Sequence, residues 1–261
     1  KNTYREFVKR KEIQEKLEEH TKNLEALVEE RTKKLRTAER FAAIGETAGM
    51  VGHDLRNPLT GISNAAYFLK KKYSGQLDKT GNDMLEVIEN NVEYSNKIIN
   101  DLLDYAGNIN LDLQNSTPKV LIKASLGMID FPKNIEVHDL TEDIPEMSLD
   151  AVKMKRVFVN ILKNAVDAMP EGGQLIIKSQ VEGENVKFSF IDTGAGISVA
   201  ELKKMFQPLY TTKAKGMGFG LAICQRIVEA HGGKIKVEST VGQGAVFKVE
   251  LPIKGNSKKG N

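Results

Sequence analysis

One cysteine, Cys224, stands among the 261 residues, which excludes an internal disulfide and any cysteine-based metal cluster. It falls in an apolar helical run, where the expected role is a buried structural thiol. No run of 18 apolar residues exists and no signal peptide is visible, so the chain reads as soluble as it stands. It begins at Lys1 rather than at methionine, which suggests a fragment with further sequence upstream. Charge of one sign is lacking as well: 38 basic side chains are interleaved with 35 acidic ones for a net +3, which argues against nucleic acid as a partner. What remains is 40% hydrophobic residues, enough for a packed core, and 28% charged residues, which suits long exposed helices. The length allows roughly two domains.

Residues 1–40 contain no proline or glycine and are rich in Glu, Lys and Leu. Ile13, Leu17, Leu24, Val28, Leu35, Ala38 and Ala42 follow coiled-coil spacing, a dimerising stalk. The four-residue step from Leu24 to Val28 reads as a stutter where seven would continue the same seam position. Gly45, Gly49 and Gly52 follow on one side of the next helix. Each glycine weakens a helix by up to about 1 kcal/mol relative to alanine. Close helix packing or a bendable segment would explain them.

A helix is expected over 41–72, broken at Tyr73-Ser74-Gly75, and a second over 79–105 with apolar positions at Met84, Leu85, Ile88, Val92, Ile98, Ile99, Leu102 and Leu103. This hairpin carries too much apolar surface for a monomer, and two copies would make a dimeric four-helix bundle. Residues 108–117 are polar and aperiodic and read as a linker. From Thr117-Pro118, a cap and a first-turn proline, residues 118–253 read as helix, strand, short strand at 145–149, long helix, hairpin, helix, loop, helix, hairpin. The result is an α/β sandwich with one mixed sheet and helices on one face. Residues 254–261 read as a disordered tail.

Within the first helix lies HDLRNPL at 53–59. A neutral imidazole is a nucleophile near neutral pH, and the Asp54 carboxylate beside it can orient it and take its proton. Asn57 projects from the same face as His53. Pro58 cannot donate to the carbonyl of Asp54, so the helix should bend or loosen there. A lone helical histidine is better explained as surface or core; the neighbours reverse that preference.

The long helix of the second half, capped by Asp150, presents Arg156, Asn160, Asn164 and Asp167 as a polar stripe beside an apolar stripe of Val157, Ile161, Ala165 and Ala168. Asparagine is a poor interior helix residue, so two of them four apart need a ligand or a solvated face to explain them, solvation being the default for a single one. Asp192, at a strand end before Thr193-Gly194-Ala195-Gly196, can accept from an exocyclic amine such as that of adenine, while Gly194 and Gly196 permit close approach. Gly216, Gly218 and Gly220 open a further helix at Leu221, whose first amides suit phosphate oxygens. His20, His138 and His231 have ordinary explanations, His231 as a helix cap before Gly232-Gly233.

HDLRNPL resembles the phosphoacceptor box of sensor histidine kinases, and the later boxes extend the resemblance over nearly the whole chain, in order. NILKNAVDA at 160–168 resembles the asparagine box of the ATPase family shared by histidine kinases, DNA gyrase and heat-shock chaperones. FQPLYTTK at 206–213 resembles the phenylalanine box and the start of the lid, and Glu30-Arg31-Thr32 resembles a signature linking sensors to these kinases. The resemblance implies a Bergerat-type ATP domain over 118–253, a phosphotransfer hairpin over 41–107 and a signalling helix over 1–40.

It also implies His53 as phosphoacceptor, Asp54 as general base or acid and Asn57 as a positioner of water in dephosphorylation. Asn164 becomes the magnesium ligand. Asn160, Asp192, Gly194, Gly196, Thr212, Lys213, Gly216, Gly218, Gly220 and Leu221 become ATP contacts. The expected cofactors are ATP and Mg2+. The expected partners are a second copy, the receiver domain of a response regulator and an upstream sensor domain outside this chain. This portion is expected in the cytoplasm, with the full protein membrane-anchored or soluble. A gyrase- or chaperone-type ATPase is the rival enzyme reading, and the phosphoacceptor box on a helical hairpin argues against it. A degenerate interaction module is the other rival, and the intact nucleotide boxes argue against that.

Overall fold

The computed structural model of the chain describes residues 51–213 and 218–254, together with scattered helical positions between 14 and 32. Ile13, Leu35, Ala38, Ala42, Gly45, Gly49, Glu30, Gly216 and the tail beyond Lys254 lie outside the described residues. Leu17, Leu24 and Val28 are helical and exposed. Their spacings of seven and four are ordinary intervals within a heptad, so these three positions form a regular seam without an interruption.

The first described helix, α1, spans 51–72 and runs unbroken through Pro58. The proline removes one hydrogen bond to Asp54, and two residues on the Thr60 hydroxyl donates to the carbonyl of Arg56 at 2.8 Å. Gly75, with φ +78°, lets the chain reverse after α1. Asp78 then caps α2 (Lys79–Ala106), its side chain accepting from the N–H of Gly81 at 2.7 Å. The two helices are antiparallel: Gly52 packs beside Ile99 and Leu103, Arg56 Nη2 donates to Asn100 Oδ1 at 2.9 Å, and Lys70 pairs with Glu89 at 2.6 Å. A Cβ on Gly52 would lie 3.1 Å from side-chain carbons of both Ile99 and Leu103, so close packing explains this glycine.

Past Gly107, residues 108–113 are irregular, but the end of the segment expected as a linker is β1 (Gln114–Ser116). Next come α3 (Pro118–Leu126), capped by Thr117, then β2 (Ile135–Leu140) and β3 (Met147–Leu149). Strand β1 pairs antiparallel with β3, which ties the connector into the second half of the fold. Helix α4 (Ala151–Asp167) follows its Asp150 cap, and then β4 (Gly173–Glu182) and β5 (Asn185–Asp192) form the expected hairpin about Gly183, φ +62°. A short α5 (Val199–Leu202), α6 (Gly220–Ala230), β6 (Lys234–Ser239) and β7 (Ala245–Pro252) complete the order.

The main sheet runs β2-β4-β5-β7-β6, parallel between β2 and β4 and antiparallel elsewhere. Strict alternation on β5 buries Val186, Phe188, Phe190 and Asp192, and on β7 Ala245, Phe247, Val249 and Leu251. Helices α3, α4 and α6 pack side by side, with α4 and α6 against this sheet. Phe158 of α4 meets the rings of Phe188 and Phe190 at 4.9 and 5.4 Å. The buried stripe on α4 is wider than its sequence pattern suggests: Met154, Phe158 and Leu162 join Val157, Ile161 and Ala165, while Ala168 is the half-buried C-cap. No described helix is long and apolar enough to cross a membrane.

Candidate nucleotide and phosphoacceptor sites

Three elements converge on the first site: the polar side of α4, the end of β5 with its loop, and the start of α6. Asp192 reaches the end of β5 on the buried side of the sheet and is 4% exposed. Its Oδ1 accepts from the N–H of Gly194 at 2.9 Å and of Ala245 at 3.2 Å. Burial raises the Asp192 pKa above the ordinary carboxylate range, and the two amide donors pull against that rise. Both donors use one oxygen, which fixes the carboxylate plane and leaves Oδ2 as the acceptor for a ligand amine.

The glycines beside Asp192 are required by contact. A Cβ on Gly194 would lie 2.5 Å from the carbonyl oxygen of Ala168 at the end of α4. Gly196 has φ +71°, and its Cβ would lie 2.2 Å from the carbonyl oxygen of Thr240. Backbone bonds from Ala195 to Ala168 at 3.0 Å and from Gly242 to Ala195 at 2.7 Å hold this loop between α4 and the β6–β7 turn.

On α4, Asn160 and Asn164 are half-buried on the expected stripe. Asn160 lies against the first residue of α6: a Cβ on Gly220 would stand 3.1 Å from both its amide atoms. Lys213 Nζ donates to Asn164 Oδ1 and to Asp167 Oδ2, each at 2.6 Å. An ammonium therefore stands where two oxygens of α4 converge, and that donor set suits a hard cation. Among the described residues no group of three or more His, Cys, Asp or Glu could hold a metal by itself. A magnesium ion here would depend on the Asn164 oxygen together with substrate phosphates and water, the arrangement this ion favours.

Phe219, the N-cap of α6, makes no side-chain capping bond, and the first intrahelical bond runs from Ile223 N–H to Phe219 O at 2.8 Å. The preceding N–H groups of the first turn, including that of Leu221, are thus open to an anion. Gly218 is needed for approach: φ is +69° and its Cβ would lie 2.5 Å from the backbone of Leu209 and Tyr210. Leu209 itself has φ +65°, an uncommon conformation for a residue with a side chain. Thr212 is exposed, and Thr211 rather than Thr212 holds the neighbouring backbone, its hydroxyl accepting from Lys213 N–H at 3.1 Å. Cys224 is 1% exposed beneath this turn, its thiol 3.8 Å from the carbonyl of Val157, and burial pushes its pKa up to about 12. It is an inert packing group, as the sequence suggests.

The second site is on the hairpin. His53, Asp54 and Asn57 are all exposed on α1. His53 Nδ1 stands 3.6 Å from Asp54 Oδ1, with the two side chains 71% and 81% exposed. The carboxylate therefore faces Nδ1 and leaves Nε2 directed away as the open nitrogen.

Two residues depart from the roles their sequence positions suggest. Arg156, on the nucleotide stripe by spacing, instead docks α4 on the hairpin: it pairs with Asp101 at 2.9 Å and with Asp104. His231 does close α6, and it is also a buried staple. Its Nδ1–H donates to Ile227 O at 2.7 Å and its Nε2 accepts from Asp150 N–H at 3.0 Å, joining the end of α6 to the cap of α4. A polar side chain in the apolar run before Gly232 was the available signal, but its partner lies 81 residues away.

Two family models match the chain in succession. Residues 43–107 match the His Kinase A (phospho-acceptor) domain, and residues 149–255 match the histidine kinase-, DNA gyrase B- and HSP90-like ATPase. The sensor histidine kinase ZraS of Escherichia coli O157:H7 is 32% identical over 224 residues, 84% of this chain and 48% of that protein. A structure of full-length ShkA in complex with AMPPNP aligns with TM-score 0.71 at 25% identity, covering 80% of this chain and 46% of that one. A structure of the histidine kinase ThkA in complex with the response regulator protein TrrA aligns with TM-score 0.59 at 28% identity, covering 82% of this chain and 63% of ThkA. The chain spans between 31% and 54% of the length of the curated relatives it matches. With a phosphoacceptor hairpin followed by an ATPase domain of this type, the chain belongs to the histidine kinase family.

Proposed function

We propose that the chain is the catalytic portion of a sensor histidine kinase that transfers the γ-phosphoryl group of ATP to His53 and then to an aspartate of a response regulator. The observation that carries this reading is the presence in one chain of an exposed, carboxylate-flanked histidine and a built nucleotide site. Asp192 Oδ2 takes the adenine amine, Gly194 and Gly196 leave room for the base, and Asn160 and Lys213 meet the phosphates. The glycines at 216, 218 and 220 and the N–H of Leu221 complete the phosphate cradle. Asn164 holds magnesium, which when bound neutralises charge on the phosphates.

In the first transfer the His53 Nε2 lone pair forms the new N–P bond as the bond to the ADP oxygen breaks. The Nδ1 proton, on the side facing Asp54, is then stabilised or removed by that carboxylate. In the second transfer the N–P bond breaks and a carboxylate oxygen of the receiver domain takes the phosphoryl group. Asn57, exposed four residues beyond His53, positions water for dephosphorylation in this reading.

The same reading divides the chain into a signalling helix over 1–40, the hairpin over 41–107, a connector over 108–117, the ATP domain over 118–253 and a tail. It pairs two hairpins in a homodimeric four-helix bundle. It also sets this portion in the cytoplasm under an upstream sensor. The ThkA–TrrA complex supports a receiver domain as partner. Mixing the phosphorylated chain with a panel of purified receiver domains tests the transfer. Label should move to the active aspartate of at least one receiver within minutes. Label that stays on the chain with every receiver, or leaves it only as free phosphate at a receiver-independent rate, would contradict the transfer.

A further inference from the structure

The last turn of α2 lies across α6, the helix that the glycine loop opens. The Tyr105 ring stands 5.4 Å from the Phe219 ring, tilted by 43°, and the Arg226 guanidinium sits 5.3 Å over the same Tyr105 ring. Arg226 Nη2 also donates to Gly107 O at 2.9 Å, just past the end of α2. Phe219 and Arg226 are two turns apart on α6, so the hairpin ends on one face of that helix. Phe219 is 2% exposed and lies between Gly218 and Gly220, two residues with little backbone stiffness of their own. Its buried ring, not a capping side chain, holds the start of α6. Beside Tyr105 and one turn before it on α2, Asp104 and Asp101 pair with Arg156 of α4, on the stripe that carries Asn160 and Asn164.

We propose that Tyr105, a residue of the phosphotransfer hairpin, is a positioning residue for phosphate recognition in the ATP site, acting through Phe219. Its ring clamps Phe219 against the domain core and so aims the open N–H groups of the first α6 turn. By linkage, phosphate bound at that turn strengthens the hold of the ATP domain on the end of α2 by the same factor. The proposal rests on the assignment of the glycine loop and α6 to phosphate made above, and it adds a residue from outside the ATPase domain to that site.

The test compares ADP with adenosine, both in magnesium on the whole chain, by displacement of a fluorescent ADP analogue. Tyr105→Ala should weaken ADP about three- to tenfold, which is about 0.7–1.4 kcal/mol and within the range of such a ring pair. Adenosine, which does not reach the α6 turn, should keep its affinity within about twofold and so reports that the adenine pocket is still folded. Tyr105→Phe, which retains the ring, should restore ADP binding. Unchanged ADP affinity in Tyr105→Ala, or an equal loss for ADP and adenosine, would overturn the proposal while leaving the nucleotide site intact. A wild-type chain that binds ADP no better than adenosine would instead remove the phosphate assignment, and the proposal with it.

Discussion

The hairpin and the ATPase domain dispose of apolar surface in opposite ways. In the ATPase domain Phe158, Phe188, Phe190, Ile161, Leu162 and Val249 are at most 1% exposed, and the core closes between one sheet and three helices. On the hairpin, Leu85, Val92 and Ile99 are buried, but Val51, Leu55, Ile62, Leu69, Met84 and Val87 remain 44–55% exposed. Leu55, Ile62 and Leu69 recur every seven residues, the spacing of a helical seam. Among the described residues, the buried side-chain oxygen without a partner, Asn96 Oδ1, is also on the hairpin. One unit buries its large apolar side chains within itself, and the other leaves a seam of them exposed, the surface that the proposed pairing of two hairpins would cover.

The chemistry divides along the same line. Asp192 and its glycine loop are fixed by buried backbone contacts, which suits recognition of one ligand. His53 stands exposed on a helix, the accessibility that the two proposed transfers require.

Removing a core ring should show the difference most strongly. Phe158→Ala should cost about 3–5 kcal/mol and lower the ATPase-domain melting transition, whereas Leu55→Ala should leave that transition in place, as calorimetry on the two variants would show. A Cβ on Gly244, where φ is +79°, would fall 1.9 Å from the carbonyl oxygen of Asp192. Gly244→Ala should therefore cost about 2–3 kcal/mol and displace Asp192, so on the proposed adenine role nucleotide affinity should fall with stability.

On the other side of the comparison, Leu55→Asp with Ile62→Asp should halve the mass seen by light scattering without shifting the ATPase-domain transition. A dimer that survives both changes would place the interface elsewhere. The smallest effect is the pH response of His231. Burial lowers its pKa below the usual histidine value, so the neutral imidazole is the form the fold prefers. Its contribution is fully present above about pH 6.5 and is lost as pH falls from there through the lowered folded value. Denaturant titrations should show this decline in the wild type and a reduced decline in His231→Gln.

Much of this was legible because its causes are local. Thr117-Pro118 and Asp150 are caps set by neighbours three residues away, and both hairpins of the ATPase domain fall at their glycine turns. The Asp192 loop and the asparagine stripe could be read because glycine and asparagine are costly where nothing requires them. What escaped depends on long separations. Strand β1 exists because Gln114–Ser116 finds β3 about 35 residues on, and no alternation marks three polar residues as a strand. Arg156 fits the nucleotide stripe by period, but its acidic partners lie more than 50 residues back on another helix. The family resemblance puts Lys213 at ATP; in this structure it bridges Asn164 and Asp167, a contact that sequence spacing does not encode.

The most direct test of the account is incubation with labelled Mg-ATP of the wild-type chain and of His53→Gln, followed by acid and alkali treatment of the labelled protein. The account predicts acid-labile, alkali-stable label on the wild type and none on the variant. Absence of protein-bound label, with ATP hydrolysis surviving in His53→Gln, would contradict phosphotransfer to His53 and leave an ATPase in its place.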